Sequence, residues 1–432
     1  MTLLLIIFGI TYALIATERM DKAIAAILGA SVVIFMGYIS YEDALHTIDL
    51  NVIFLLVGMM VVINILGKTG VFEWLAITMA QKAKGNGLVI LMMFLISTAF
   101  ISAMLDNVTT VLLMAPVTLL IAQLLELPVA PFLIFMALSS NIGGTATLVG
   151  DPPNVLIGSA TGLTFNEFII HMAPIATLIT GVFLVMVWFT QRRNFTVSTE
   201  LRARVMTAQA DLAIVHPQLL KRSLIVLVLI LLGFFVGPLF HIEPGIVALA
   251  GGMLMLLVGK VNIHHALEKV EWTTIFFFIG LFMLVGALEH NHVFTLLGEQ
   301  VVRISGGNLL LTCQIILWTA AIASAIVDNI PLVIALIPLL ESVIPGFATS
   351  MGLAEDAEIR KLIMEPLYWS LALGACLGGN GSLIGASANV VVCQIANRNK
   401  YPITFMHFSR LGIPIMLMSL VCSSVYIWLR YF

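Results

Sequence analysis

Two acidic dipeptides stand where charge is costly. Asp106-Asn107 lies inside SAMLDNVTTVLLMAP and Asp328-Asn329 inside SAIVDNIPLVIALIP, each within an apolar segment closed by a proline, Pro116 or Pro338. A carboxylate inside such a segment marks an ion path, a proton relay or a paired partner. Two further stretches, SSNIGGTATLVGDPPNV (139–155) and GACLGGNGSLIGASANV (374–390), break apolar runs with small and polar residues. They supply Asn141, Gly143, Gly144, Thr145, Asp151 and Asn154, then Gly378, Gly379, Asn380, Ser382 and Asn389. Glycine lets the chain leave the helix and Pro152-Pro153 enforces the departure. The freed carbonyls and half-helix ends can then bind ions or a polar substrate.

The chemistry these residues suit is binding and release, not bond breaking. No HExxH, GxSxG, Walker or paired His-Asp constellation occurs, so no enzyme, cofactor or resident metal is expected. Asp106, Asn107, Thr109, Asp328 and Asn329 would line a site from two tips, and the broken stretches would complete it. Asp151 is the coupling carboxylate of choice, because its counterpart in the second stretch is Ala386. A structural role would persist in both copies, whereas one coupling group suffices. Asp106 and Asp328 are the other proton-coupling candidates. Each has a plainer reading beside this one: Asp106, Asn154 and Asn389 as helix caps, the Gly-Gly pairs as helix packing. The four cysteines are isolated and read as buried thiols. Cys376 is too lone to trap trivalent arsenic. His264-His265, Glu289, His290 and His292 read as solvated.

The elements that position these residues must be membrane helices. Of 432 residues, 60% are hydrophobic and 10% charged, against roughly 25% charged in soluble domains. Apolar segments near 2–16, 23–40, 51–67, 172–190, 223–239, 244–259, 272–289 and 410–430 are each suited to one crossing. The N-terminal run lacks a basic leader and reads as a retained helix. Lys68, Glu73, Lys82 and Lys84 belong to a short interfacial helix. The net charge of −3 and the lack of a basic patch exclude nucleic acid as a partner.

The chain repeats itself. Gly29 and Gly251, Gly37 and Gly259, Gly58 and Gly280, Asp106-Asn107 and Asp328-Asn329, and Pro116 and Pro338 are all 222 positions apart. Past an insertion around 345–363 the separation becomes 235, pairing Gly143-Gly144 with Gly378-Gly379 and Asn154 with Asn389. This gives a first repeat (1–190) with hairpin 88–125 and broken helix 128–160. A linker (191–222) follows, then a second repeat (223–432) with hairpin 308–344 and broken helix 367–396. If both DN segments are re-entrant, ten spans remain. With the linker in the cytoplasm, 16 of the 20 basic residues, Arg19 and Lys22 among them, fall inside. Both termini are then outside and the repeats are inverted, as in secondary transporters.

SAMLDNVTTVLLMAPVT, SSNIGGTATLVGDPPNVLIGSA, DNIPLVIALIP and GGNGSLIGASANVV resemble the ion transporter superfamily over nearly the whole chain. The branch is that of the ArsB/NhaD-type permeases and the melanosomal P protein. The resemblance implies an all-α polytopic fold with two inverted repeats, two hairpins, two broken helices and an elevator motion. In the dicarboxylate branch the tips read Ser-Asn-Thr, and here Asp106 and Asp328 replace the serine. Acidic tips suit protons, sodium or a neutral polyhydroxyl cargo and disfavour an organic anion or amino acid. Arsenite at neutral pH is largely such a trihydroxide. The resemblance therefore implies proton-coupled arsenite or antimonite efflux across the cell (inner) membrane, with sodium/proton antiport as the alternative. It also implies a homodimer in membrane lipid and, for some permeases, a cytosolic ATPase partner.

Overall fold

Where no water reaches the backbone, an apolar chain satisfies its amides by coiling, and this chain does so almost throughout. The computed structural model describes residues 2–17, 20–304 and 306–432, so Arg19 lies outside the described residues. Among those described there are helices and no strand. The first half runs α1 (Thr2–Ala16), α2 (Lys22–Phe35), α3 (Tyr41–His46), α4 (Leu50–Gly67), α5 (Val71–Lys82), α6 (Gly87–Met104), α7 (Asn107–Leu124), α8 (Val129–Gly144), α9 (Pro152–Thr161) and α10 (Phe165–Gln191). The linker carries α11 (Thr199–Met206). The second half runs α12 (Pro217–Val236), α13 (Pro244–Gly259), α14 (Ile263–Leu267), α15 (Trp272–His290), α16 (Val293–Ile304), α17 (Leu309–Ser324), α18 (Asn329–Met351), α19 (Asp356–Ile359), α20 (Glu365–Gly378), α21 (Ser387–Arg398) and α22 (Phe405–Tyr431).

Nine helices among the described residues are long and apolar enough to cross a membrane, and five shorter apolar ones accompany them. The nine include α6 and α7, which the sequence reading assigns to hairpin arms and not to spans. Their placement fits a hairpin all the same. A Cβ on Gly87, at the start of α6, would meet the Leu127 side chain just past the end of α7. The second arm therefore returns to where the first began. Several boundaries differ from expectation: α10, α12 and α22 begin at Phe165, Pro217 and Phe405 and not at 172, 223 and 410, so that α12 starts within the expected linker. Helix α2 stops at Phe35, not 40, because Gly37 takes a left-handed φ of 73°. The expected insertion at 345–363 is mostly helical: α18 runs on to Met351, and α19 leads into a π-turn over Arg360–Met364.

The two halves pack by exchanging equivalent partners. Helix α4 lies on α13, and its counterpart α15 lies on α2. At these crossings a Cβ on Gly58 would strike the Ala248 backbone, and one on Gly280 the Ala26 backbone. Only glycine permits so close an approach. Helix starts repeat as well: the Asn86 side chain caps α6 at Leu88 N (3.1 Å), and Asn308 caps α17 at Leu311 N (3.0 Å). Helices α1, α2, α4, α12, α13 and α15 form one wall. Against it sits a second body made of the hairpins, α8–α10 and α20–α22, which α5 and α16 flank by packing on α7 and α18.

Candidate functional site

Each hairpin turns on its aspartate. Leu105 leaves the helix in an extended conformation, and Asp106 becomes the N-cap of α7, accepting from Thr109 N at 2.8 Å and from the Thr109 hydroxyl. The capping reading of Asp106 thus describes its geometry, and Thr109 is its partner. Asp328 caps α18 more loosely, through Ile330 N at 3.3 Å. Pro331 stands where the first tip has Thr109 and has no hydrogen to donate. Instead Asp328 Oδ2 accepts from Lys22 Nζ (3.2 Å) and Ser387 Oγ (2.8 Å). Lys22 Nζ also donates to Ser387 Oγ (3.1 Å) and lies 5.1 Å from the Phe277 ring centre.

Behind the tips the broken helices meet in a buried polar knot. Asn107 Nδ2 donates to Asn141 Oδ1 at 3.2 Å. Asn141 Nδ2 donates across the repeats to Asn380 Oδ1 and Asn389 Oδ1, both at 3.0 Å. Asn389 Nδ2 reaches the Gly379 and Ser382 carbonyls (2.8 and 2.9 Å). Asn154 Nδ2 does the same for Thr145 and Thr147 (3.2 and 2.8 Å). Asn154 and Asn389 therefore do not cap their half-helices. They close the broken loops onto them, the caps being Asp151 and Ala386 without side-chain bonds. Thr145 Oγ1 donates to the Asn141 carbonyl (2.8 Å), and Ser382 Oγ accepts from Gly385 N (3.1 Å). The Gly-Gly pairs serve close approach: Gly143 abuts Ala99 and Gly378 abuts Ala321, while Gly144 and Gly379 face Gly150 and Gly385. Both functions weighed for these glycines, packing and loop opening, meet at the same residues.

Asp151 lies in this knot with 1% of its surface exposed. Its Oδ1 accepts from Asn329 Nδ2 at 3.4 Å, and its Oδ2 has no hydrogen-bond partner. The Cys376 thiol beside it is directed to Asn154 Oδ1 at 3.4 Å. Asn107 Oδ1 and Asn380 Nδ2 are likewise buried and unpaired. Native proteins leave few such atoms.

In front of the knot is a cavity of about 360 Å³. Of the candidate site residues, Asp106, Thr109 and Asp328 line it and the others do not. Lys22, Glu271 and Ser387 also line it, and the sequence reading had not placed them there. Lys22 had counted only as a basic residue of a loop. The available signal was its position as first residue of an apolar helix whose counterpart starts with Pro244. His264, His265, Glu289, His290 and His292 are exposed, and no cluster of three metal-ligating side chains occurs among the described residues.

Known proteins share this architecture and sequence. The chain is similar to the "46 kDa membrane protein" of Mycobacterium leprae, 40% identical with 98% of this chain and 97% of that one covered. It is similar to an uncharacterized transporter of Synechocystis, 32% identical over 97% and 95%. The mouse P protein is 32% identical, but only 59% of its length is covered. The YdaH transporter of Alcanivorax borkumensis superposes with a TM-score of 0.60 over 93% of this chain and 88% of that one, at 15% identity. Residues 12–374 match the family described as citrate transporter, so the chain belongs to that family and is a multi-pass membrane transporter.

Proposed function

We propose that the protein is a proton-coupled secondary transporter that exports arsenite or antimonite across the cell membrane. The observation that carries this reading is the charge around the cavity: Asp106 and Asp328 face it, Asp151 lies behind it, and Lys22 is the one lysine or arginine lining it among the described residues. Carboxylates gathered in this way favour protons and hydrogen-bond donors over free anions. A neutral trihydroxide would donate to the tip carboxylates, while Asp151, beside Asn329 and Cys376, would carry the coupling proton. The distribution of Lys and Arg puts the Lys22 side of the cavity in the cytoplasm, so the cavity would be open inward. The body holding the hairpins would then slide along the α4–α13 and α2–α15 wall to release cargo outside.

A second reading is organic-acid transport. The matched family is described as citrate transporter, and Lys22 is the group that would recognise a carboxylate. Sodium/proton antiport uses the same three aspartates. Reconstitution in liposomes under a pH gradient separates them, with arsenite, citrate and sodium offered one at a time. Proton flux that follows arsenite supports the first reading; flux that follows only citrate or only sodium replaces it.

A further inference from the structure

The second hairpin tip carries its own cation, and the first does not. Lys22 is held from both ends. Its backbone opens α2 behind Asp21, whose side chain accepts from Ala23 N at 2.9 Å, and α2 is pinned to α15 at the Gly280 crossing. Its ammonium reaches out of that wall to Asp328 at the tip and Ser387 at the start of α21. One side chain thus ties the wall to the body that holds the broken helices. Among the described residues, the charged groups facing the ammonium across the cavity are Asp21, Glu271 on the start of α15, and the two tip aspartates. Helices α1, α4 and α9 contribute Ile15, Leu56, Met60 and Pro152, which carry no charge.

The tie is suited to being undone. The side chains of Lys22 and Asp328 are 31% and 13% exposed, so the pair has access to the water of the cavity and can exchange partners there. The ammonium makes two oxygen contacts at the tip, to Asp328 Oδ2 and Ser387 Oγ. The repeat shows that the arrangement is not needed to build a tip. Pro244 and Pro152 occupy the positions of Lys22 and Ser387 in the other half, and Asp106 closes its cap with Thr109 alone.

We propose that Lys22 is a tethered counter-cation that occupies the Asp328 tip in place of a free monovalent cation and straps that tip to the α2–α15 wall. This rests on the reading of the cavity as the transport site. It predicts that the intact protein needs no external sodium at that tip. The test is thermal unfolding of the purified full chain in detergent, in sodium chloride against choline chloride at equal ionic strength. It needs no cargo, so its failure is distinct from failure of the arsenite reading.

The intact chain and Lys22→Arg should unfold alike in both salts. Lys22→Met should unfold earlier in choline and recover about half or more of the loss in sodium, because a ligand that binds the folded state stabilises it. Lys22→Met with Asp328→Asn should show no sodium response. The proposal is overturned if Lys22→Met responds to sodium no more than the intact chain, or if the response survives Asp328→Asn. A second measurement needs only a chain that keeps Lys22. Asp328→Asn should raise the acylation rate of Lys22, read by peptide mass spectrometry, about threefold or more, as expected for losing a partner in a water-accessible pair. An unchanged rate would also overturn it.

Discussion

The two hairpin tips began as copies and no longer do the same thing. Both present an aspartate followed by an asparagine, both cap the returning arm, and both stand before a broken helix. At the first, Asp106 is satisfied locally by Thr109. At the second, Pro331 removes that local donor, and Asp328 looks outward to Lys22 and Ser387. The broken helices differ in the opposite sense, since Asp151 has Ala386 as its counterpart. What both halves keep is backbone geometry: glycine crossings, helix caps, loops closed by Asn154 and Asn389. What they have separated is charge. The repeat therefore divides the molecule into a frame that symmetry maintains and a site that symmetry no longer describes.

Substitutions can break or sharpen this division. The largest effect is expected at Asp151, where Asp151→Asn should reduce uphill transport at least about a hundredfold, as loss of an essential proton carrier would. The folded yield, checked by size-exclusion chromatography, should stay near that of the intact protein. Normal uphill flux would return Asp151 to the frame. Next come the shared crossings. Gly58→Val and Gly280→Val should each destabilise by at least about 1–3 kcal/mol, because the added atoms meet backbone and not a movable side chain. Unequal losses in thermal unfolding would mean that the frame, too, has diverged. Asn141→Leu removes donors to Asn380 and Asn389 and should cost about 1–3 kcal/mol by leaving buried acceptors unpaired. Thr109→Val should cost about 0.5–1.5 kcal/mol at the first tip, since one hydrogen bond to Asp106 is lost while the backbone cap remains. The smallest change is Arg360→Gln. Its pair with Glu167, at 3.0 Å on the partly exposed π-turn, should be worth about 0–1 kcal/mol in the same measurement.

The frame was legible in the sequence because its residues act through type and spacing. A constant offset between Gly58 and Gly280, or Asp106 and Asp328, survives without knowledge of the fold. The site was legible only in part. Asp106, Thr109 and Asp328 reach the cavity because they are at the tips. Asn141 bridges to Asn389 across 248 positions, a pairing that local pattern does not carry. Lys22 escaped notice because a lysine at a helix start is ordinarily solvated, and its role depends on a tip more than three hundred residues away. The end of α2 and the π-turn escaped because composition does not mark where an apolar helix stops or gains a residue.

The Asn141 amide also bears on how the protein is made. When the first half has entered the bilayer, Asn380 and Asn389 have not yet been synthesised, and the donors of Asn141 await partners in a medium without water. Unpaired amides at that depth carry a penalty of several kcal/mol. The nascent first half is thus an unfinished surface until the ribosome has delivered about nine-tenths of the chain. A protein arrested before Asn389 would keep most of its spans and still present a polar wound to the membrane, a form that quality-control proteases are well placed to recognise. Closure of the asparagine knot therefore comes late in synthesis, with only the rest of α21 and α22 still to follow.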